Sequence, residues 1–131
     1  MFLGTGQYMD ISLAHLRGME DAPRALYRSG HIYILMCSLM HLLLGAYATP
    51  RNSRLGRGVQ YLGSAALTAA LGMFVYGFWM ETPLAQIDRP LTRVAIELAL
   101  AGTLLHCGAA VFRSESTQQG EATPDRETLG V

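Results

Sequence analysis

Aspartate, glutamate, lysine and arginine are absent between Arg28 and Arg51 and again between Arg57 and Glu81, and a third apolar run from Val94 to Phe112 is broken only by Glu97. At about 1.5 Å rise per residue, roughly 20 helical residues match a hydrocarbon core about 30 Å thick. Each run is therefore long enough to cross a bilayer as a helix. The pattern predicts an all-α, polytopic membrane bundle with spans near residues 31–48, 58–80 and 91–112.

The polar positions punctuate these runs. Asp21 reads as a helix N-cap with Pro23 tolerated in the first turn, and Gly30 allows a bend before the first span. Thr49-Pro50 ends that span, because proline restricts the residue before it and cannot continue the hydrogen-bond ladder. Asp88 reads as an N-cap ahead of Arg89-Pro90, which restarts a helix for the third span. Residues 1–30 mix Phe2, Leu3, Tyr8, Met9 and Ile11 with Gln7, Asp10 and His15, too polar for a spanning helix, and are expected to form an amphipathic interfacial segment. Residues 113–131 are rich in Ser, Thr, Gln and Glu and are expected to be a disordered tail. A four-span arrangement stays open, with the opening residues as the end of a further helix; a basic n-region and a small-residue cleavage site are missing from the start.

Charge sets the expected orientation. Arg51, Arg54 and Arg57 lie in a connection with no acid, which positive-inside reasoning puts in the cytoplasm with the tail. Three spans then leave Arg17, Arg24 and Arg28 on the far side, among Asp10, Glu20 and Asp21. Phe74, Tyr76, Phe78 and Trp79 suit the far headgroup layer together with Tyr33, while Tyr47 and Tyr61 flank the arginine connection.

Composition narrows the classes further. A chain of 131 residues, half of them hydrophobic, makes one compact unit. Its ten cations are all arginine and balance ten acids, so no basic surface recommends a nucleic-acid partner. Cys37 and Cys107 fall inside separate apolar runs, where a thiol behaves as a small hydrophobe, and no disulfide is expected.

Helical periodicity sorts the faces. Around His41, residues Cys37, Ser38, Gly45 and Ala48 form a small and polar stripe expected to face protein, opposite Ile32, Leu35, Leu39 and Leu43. The second span carries Ser64, Thr68, Gly72 and Tyr76 beside Ala65, Ala69, Met73 and Gly77, which predicts close helix packing along these rows. On the third span, Gly102, Thr103, Ala109 and Ala110 share the face of His106.

Ionisable residues inside a span are the candidates for chemistry. His41 and His106 lie on parallel helices at depths differing by about one turn, and such a pair of imidazoles suits axial ligation of a b-type haem. The alternative is that each ring hydrogen-bonds Ser38, Thr68, Thr103 or a carbonyl and ties the bundle together. Arg93 and Glu97 are four apart and can pair, or Glu97 can serve a small oligomeric transporter. His31 is expected near Glu81 or Asp88. A copper site at Met36, Cys37, Met40 and His41 fails on geometry, because the two methionines rotate away from the other donors. No nucleophilic constellation forms around Ser38, and Gly4-Thr5-Gly6 is not followed by the Lys-Ser or Lys-Thr of a phosphate loop.

The expected function is that of an accessory or structural subunit of a membrane complex or homo-oligomer, without catalysis of its own. A haem-bearing electron-transfer subunit and a transporter are the two competing readings. The partners expected are the bilayer and other membrane subunits.

Overall fold

The computed structural model describes residues 1–47, 53–84 and 88–121, with side chains up to Ala109 in the last stretch. The chain is all-helical over these residues. It runs α1 (Phe2–Ile11), a 3-10 turn at Ala14–Leu16, α2 (Asp21–Tyr47), α3 (Arg54–Met80), a second 3-10 turn at Thr82–Leu84, and α4 (Pro90–Glu121). By length and composition, α2, α3 and the Pro90–Ala109 part of α4 are each able to cross a membrane.

Each long helix starts earlier than its apolar run. α2 begins at Asp21 and runs through Gly30, where the sequence allows a bend, as one continuous helix. The glycine serves close approach instead: a Cβ there would stand 3.2 Å from the Phe78 ring and 3.6 Å from the Arg89 guanidinium. α3 starts at Arg54 because the Ser53 hydroxyl accepts the Gly56 N–H at 3.1 Å, a side-chain N-cap. α4 continues to Glu121, nine residues beyond the boundary expected at 112, since no glycine or proline interrupts the chain between Phe112 and Gln119. The proposed stop at Thr49-Pro50, Arg51 of the arginine connection, Ala48 of the stripe and residues 122–131 of the tail lie outside the described residues.

α1 returns to α2 through a turn of unusual backbone. Ala14, His15 and Leu16 have φ of 46°, 58° and 61°, a left-handed conformation that costs about 1–2 kcal/mol per L-residue. Gly18 follows at φ 74°, where the missing Cβ removes that penalty. Burial of Leu16 and a contact between the His15 ring and the Asp10 carboxylate hold the turn.

α3 is the central helix, packed along α4 and against α2. Its buried stripe is Gly63, Leu67, Ala70, Phe74, Gly77 and Phe78. Of the expected packing rows Gly77 is buried, while Ser64, Ala65, Thr68, Ala69 and Gly72 are exposed within this single chain, and a Cβ on Gly72 would meet nothing within 4 Å. The inward face is rotated by about one residue, 100° of helix, from the row of Ser64. Small size alone did not tell the two faces apart.

The closest approach of two backbones falls at Gly63 and Gly102. A Cβ on Gly102 would lie 2.8 Å from both the Gly63 carbonyl oxygen and the Leu67 Cγ, and a Cβ on Gly63 would lie 3.0 Å from the Gly102 oxygen. No larger residue fits either position without moving a helix.

Phe78 anchors the opposite end of α3. It is 1% exposed and meets Tyr27 edge-on at 5.5 Å between ring centroids, with Tyr8 of α1 at 6.4 Å. Tyr33 stacks on Phe74 at 5.5 Å. Aromatic edges and faces at these separations add attraction beyond area burial. Elsewhere large apolar side chains face outward, among them Ile32, Leu39, Leu42 and Leu43 on α2 and Leu100 and Leu104 on α4.

Candidate functional site

Both intramembrane-type histidines are turned onto α3. The helical pitch brings Cys37 and His41 to one side of α2, where the Cys37 thiol donates to the Leu67 carbonyl at 3.6 Å. His41 Nδ1 lies 2.9 Å from the Cys37 carbonyl, and its Nε2 lies 3.3 Å from Thr68 Oγ1. A carbonyl only accepts, so Nδ1 carries a proton, and the Thr68 hydroxyl stands beside Nε2. That hydroxyl also has an acceptor within reach, the Ser64 carbonyl at 2.8 Å.

One turn along α3, Ser64 Oγ stands 3.2 Å from His106 Nε2. Ser64 and Thr68 thus belong to a polar strip that reaches one histidine on each neighbouring helix, rather than to the packing seam. Thr103 adds a third tie between α2 and α4, its hydroxyl lying 3.6 Å from Met40 Sδ.

This arrangement bears on the ligation schemes. The Nε2 atoms of His41 and His106, the pair expected to suit haem ligation, each lie within hydrogen-bond distance of an α3 hydroxyl. The copper donors disperse as their helical spacing implies. Cys37 bonds Leu67, Met40 meets Thr103, and Met36 is exposed. Among the described residues, no three His, Cys, Asp or Glu side chains gather into a metal-binding group.

The densest polar cluster lies where α3 passes to α4, and the sequence pattern did not reveal it. The expected Asp88 cap is replaced by Glu81. Its Oε1 accepts the Leu91 N–H at 2.6 Å, and its Oε2 accepts the Thr92 N–H at 3.1 Å and the Thr92 hydroxyl at 2.6 Å. A carboxylate on unsatisfied amides at a helix N-terminus is favoured by hydrogen bonding and by the helix dipole. Asp88 itself is exposed.

Arg89 completes the cluster. Its Nε lies 3.8 Å from Glu81 Oε2, with both side chains 9% exposed, and its guanidinium donates to Ser29 at 3.2 Å and to Thr82 at 3.5 Å. Ser29 belongs to α2, so one arginine fastens that helix to the α3–α4 turn. The Arg89 Nε itself is buried without a hydrogen-bond partner, so the pair rests on charge attraction there and on the two other nitrogens for directional bonds. The only signal available from sequence was an acid at the end of one apolar run, some ten residues ahead of a proline-started helix.

His31 does not join this cluster as expected. Its Nδ1 meets Thr5 Oγ1 at 2.9 Å, and its ring stacks on Phe2 at 4.1 Å, so α1 occupies the site where an acid was anticipated. Arg93 and Glu97 do pair, at 3.3 Å, on the side of α4 away from the bundle, with side chains 81% and 64% exposed.

Fold and sites together define a small all-helical protein with three helices suited to crossing a membrane, joined by hydroxyl–imidazole ties and a buried carboxylate–guanidinium clamp. No family model, curated protein or solved structure matches this chain.

Proposed function

We propose that this is an integral membrane protein that acts as a structural or accessory subunit, assembling with copies of itself or within a larger membrane complex, with no catalysis of its own. In this reading the arginine connection at 51–57 and the C-terminal tail face the cytoplasm, on the strength of Arg51, Arg54 and Arg57 in a stretch free of acids.

The observation that carries the proposal is the outward-facing Arg93–Glu97 pair. Charged groups within spanning helices nearly always face a bundle interior or a water-filled space. Here the pair lies within the apolar Pro90–Ala109 stretch, and the chain's own helices leave it uncovered. Cover supplied by another chain accounts for its position. The exposed row of Ala65, Ala69 and Gly72 on α3 supports the same reading, since small residues allow a second helix to approach closely. The histidines need no cofactor to explain them, because α3 hydroxyls meet both rings.

Intact-complex mass measurement in gentle detergent tests the proposal. The wild-type chain is expected as an oligomer or with a copurifying partner. Arg93→Leu combined with Glu97→Leu is expected to reduce that species to monomer while leaving helix content unchanged. A wild-type chain that is wholly monomeric and partner-free would assign the pair to headgroup water and refute the assembly role.

A further inference from the structure

An open groove of about 560 Å³ lies between α1 and α2, away from both the histidine ties and the Arg93–Glu97 pair. Its lining mixes two chemistries. Phe2, Leu3, Met9 and Leu16 are apolar, Gln7, Asp10 and His15 are polar, and Arg28 and His31, one turn apart, come from α2. The groove is therefore amphipathic, and its volume falls in the range that accommodates a small molecule or a lipid headgroup.

The charged groups facing the groove are Asp10, His15, Arg28 and His31. Asp10 contacts the His15 ring. Arg28 is exposed and has neither an ion pair nor a hydrogen bond among the described residues, which leaves its guanidinium free at the edge of the groove. A guanidinium beside apolar side chains matches an anion carried on an amphiphile.

His31 adds a second preference. The Thr5 hydroxyl donates to the Phe2 carbonyl at 2.9 Å, so it accepts from His31 Nδ1–H, and the neutral ring keeps its lone pair on Nε2. Gly6 keeps that edge of the ring uncrowded, since a Cβ there would stand 3.2 Å from Cε1 and 3.6 Å from Nε2. A bound head that also offers a hydroxyl or N–H donor satisfies this nitrogen. Tyr8 of α1, packed on Trp79 at 4.5 Å, places the groove beside an aromatic group of the kind that favours the headgroup layer.

We propose that this groove binds the headgroup of an anionic phospholipid, with its phosphate on Arg28, a headgroup hydroxyl on His31 Nε2, and its acyl chain leaving along Phe2, Leu3, Met9 and Leu16. The head enters from the interface where α1 returns to α2, and α1 forms one wall of the groove.

The test titrates the purified full-length chain in detergent with four probes, reading bound mass in native mass spectrometry. The probes are phosphatidylglycerol, phosphatidylcholine, glycerol phosphate and inorganic phosphate. Wild type is expected to retain phosphatidylglycerol over phosphatidylcholine, whose choline offers no donor to His31, and to bind the two soluble probes far more weakly. Arg28→Gln is expected to lower phosphatidylglycerol affinity about tenfold or more, as loss of a charge-assisted hydrogen bond implies. Its thermal midpoint is expected to stay unchanged, because Arg28 has no partner to lose among the described residues. His31→Phe, which keeps the stack on Phe2, is expected to remove the preference between the two lipids. Equal phosphatidylglycerol binding by wild type and Arg28→Gln would overturn the site. Equal binding of inorganic phosphate and phosphatidylglycerol would overturn its assignment to a lipid.

Discussion

The two ends of the bundle are built differently. Where α3 turns into α4, Glu81, Thr82, Arg89, Thr92 and Ser29 form a buried, mutually bonded cluster, and Phe78, Tyr27 and Tyr8 pack beside it. Toward the arginine connection, Leu42, Leu43 and Tyr47 on α2 and Leu55, Tyr61 and Leu62 on α3 are all exposed, and α2 buries nothing beyond Cys37. One end is held by directional bonds across three helices. At the other, α3 and α4 stay together through Gly63 and Gly102 while α2 presents its apolar side chains outward. Polar groups in an apolar setting concentrate where the backbone leaves amides unmatched, and the start of α4 after a tight turn is such a place. A helix that passes straight through needs no such cluster.

This contrast can be broken most directly at Glu81. Glu81→Ala uncaps α4 and leaves the Arg89 guanidinium buried without its counter-charge, a loss of about 3–5 kcal/mol. The loss should appear as a large drop in the thermal midpoint of the detergent-purified chain. Arg54→Ala at the opposite end should stay within about 0.5 kcal/mol of wild type, as befits an exposed side chain. Equal losses at the two positions would show that the clamp is no stiffer than the open end.

The next largest effect is expected at Gly102. A leucine there must displace the Gly63 carbonyl and Leu67, costing about 1–3 kcal/mol as overpacking. Gly45→Leu serves as its control on the open part of α2, where a Cβ meets nothing within 4 Å, and should leave unfolding unchanged. A loss at Gly45 matching that at Gly102 would mean that α2 packs closely there after all.

The smallest effect belongs to the hydroxyl–imidazole ties between the two ends. A double-mutant cycle of Thr68→Val and His41→Leu is expected to give a coupling of about 0.6 kcal/mol, typical of a side-chain hydrogen bond between spanning helices. A coupling of several kcal/mol would shift the balance of the bundle from the Glu81 clamp to its middle. No coupling at all would remove His41 from the set of ties.

Several features were legible before any coordinates. The three long helices follow from runs without acidic or basic side chains, and the pairing of Arg93 with Glu97 follows from their four-residue spacing. Thr68 was within the set of partners anticipated for His41, because few hydroxyls occur in these runs. The packing face of α3 was not legible. Gly63 and Ser64 are neighbours in sequence and equally small, yet one is buried against Gly102 and the other reaches His106. The Glu81 cap was hidden for a different reason. Its partners are backbone amides, which every residue but proline possesses, so no side-chain pattern marks Leu91 and Thr92 as their recipients.

By itself the sequence determined that there are three long apolar helices, where the apolar stretch of each lies, and where the charges interrupt them. These depend on the composition of contiguous stretches and on a fixed rise per residue, both of which can be summed along the chain. Tertiary structure decided how each helix is rotated, which polar groups meet across it, and that α1 folds back over His31 to form a groove with α2. Apolar character cannot choose among rotations when leucine is as much at home outward as inward. Shape complementarity at Gly63 and Gly102 and hydrogen-bond satisfaction at Glu81 make that choice, and both exist only once the helices are side by side.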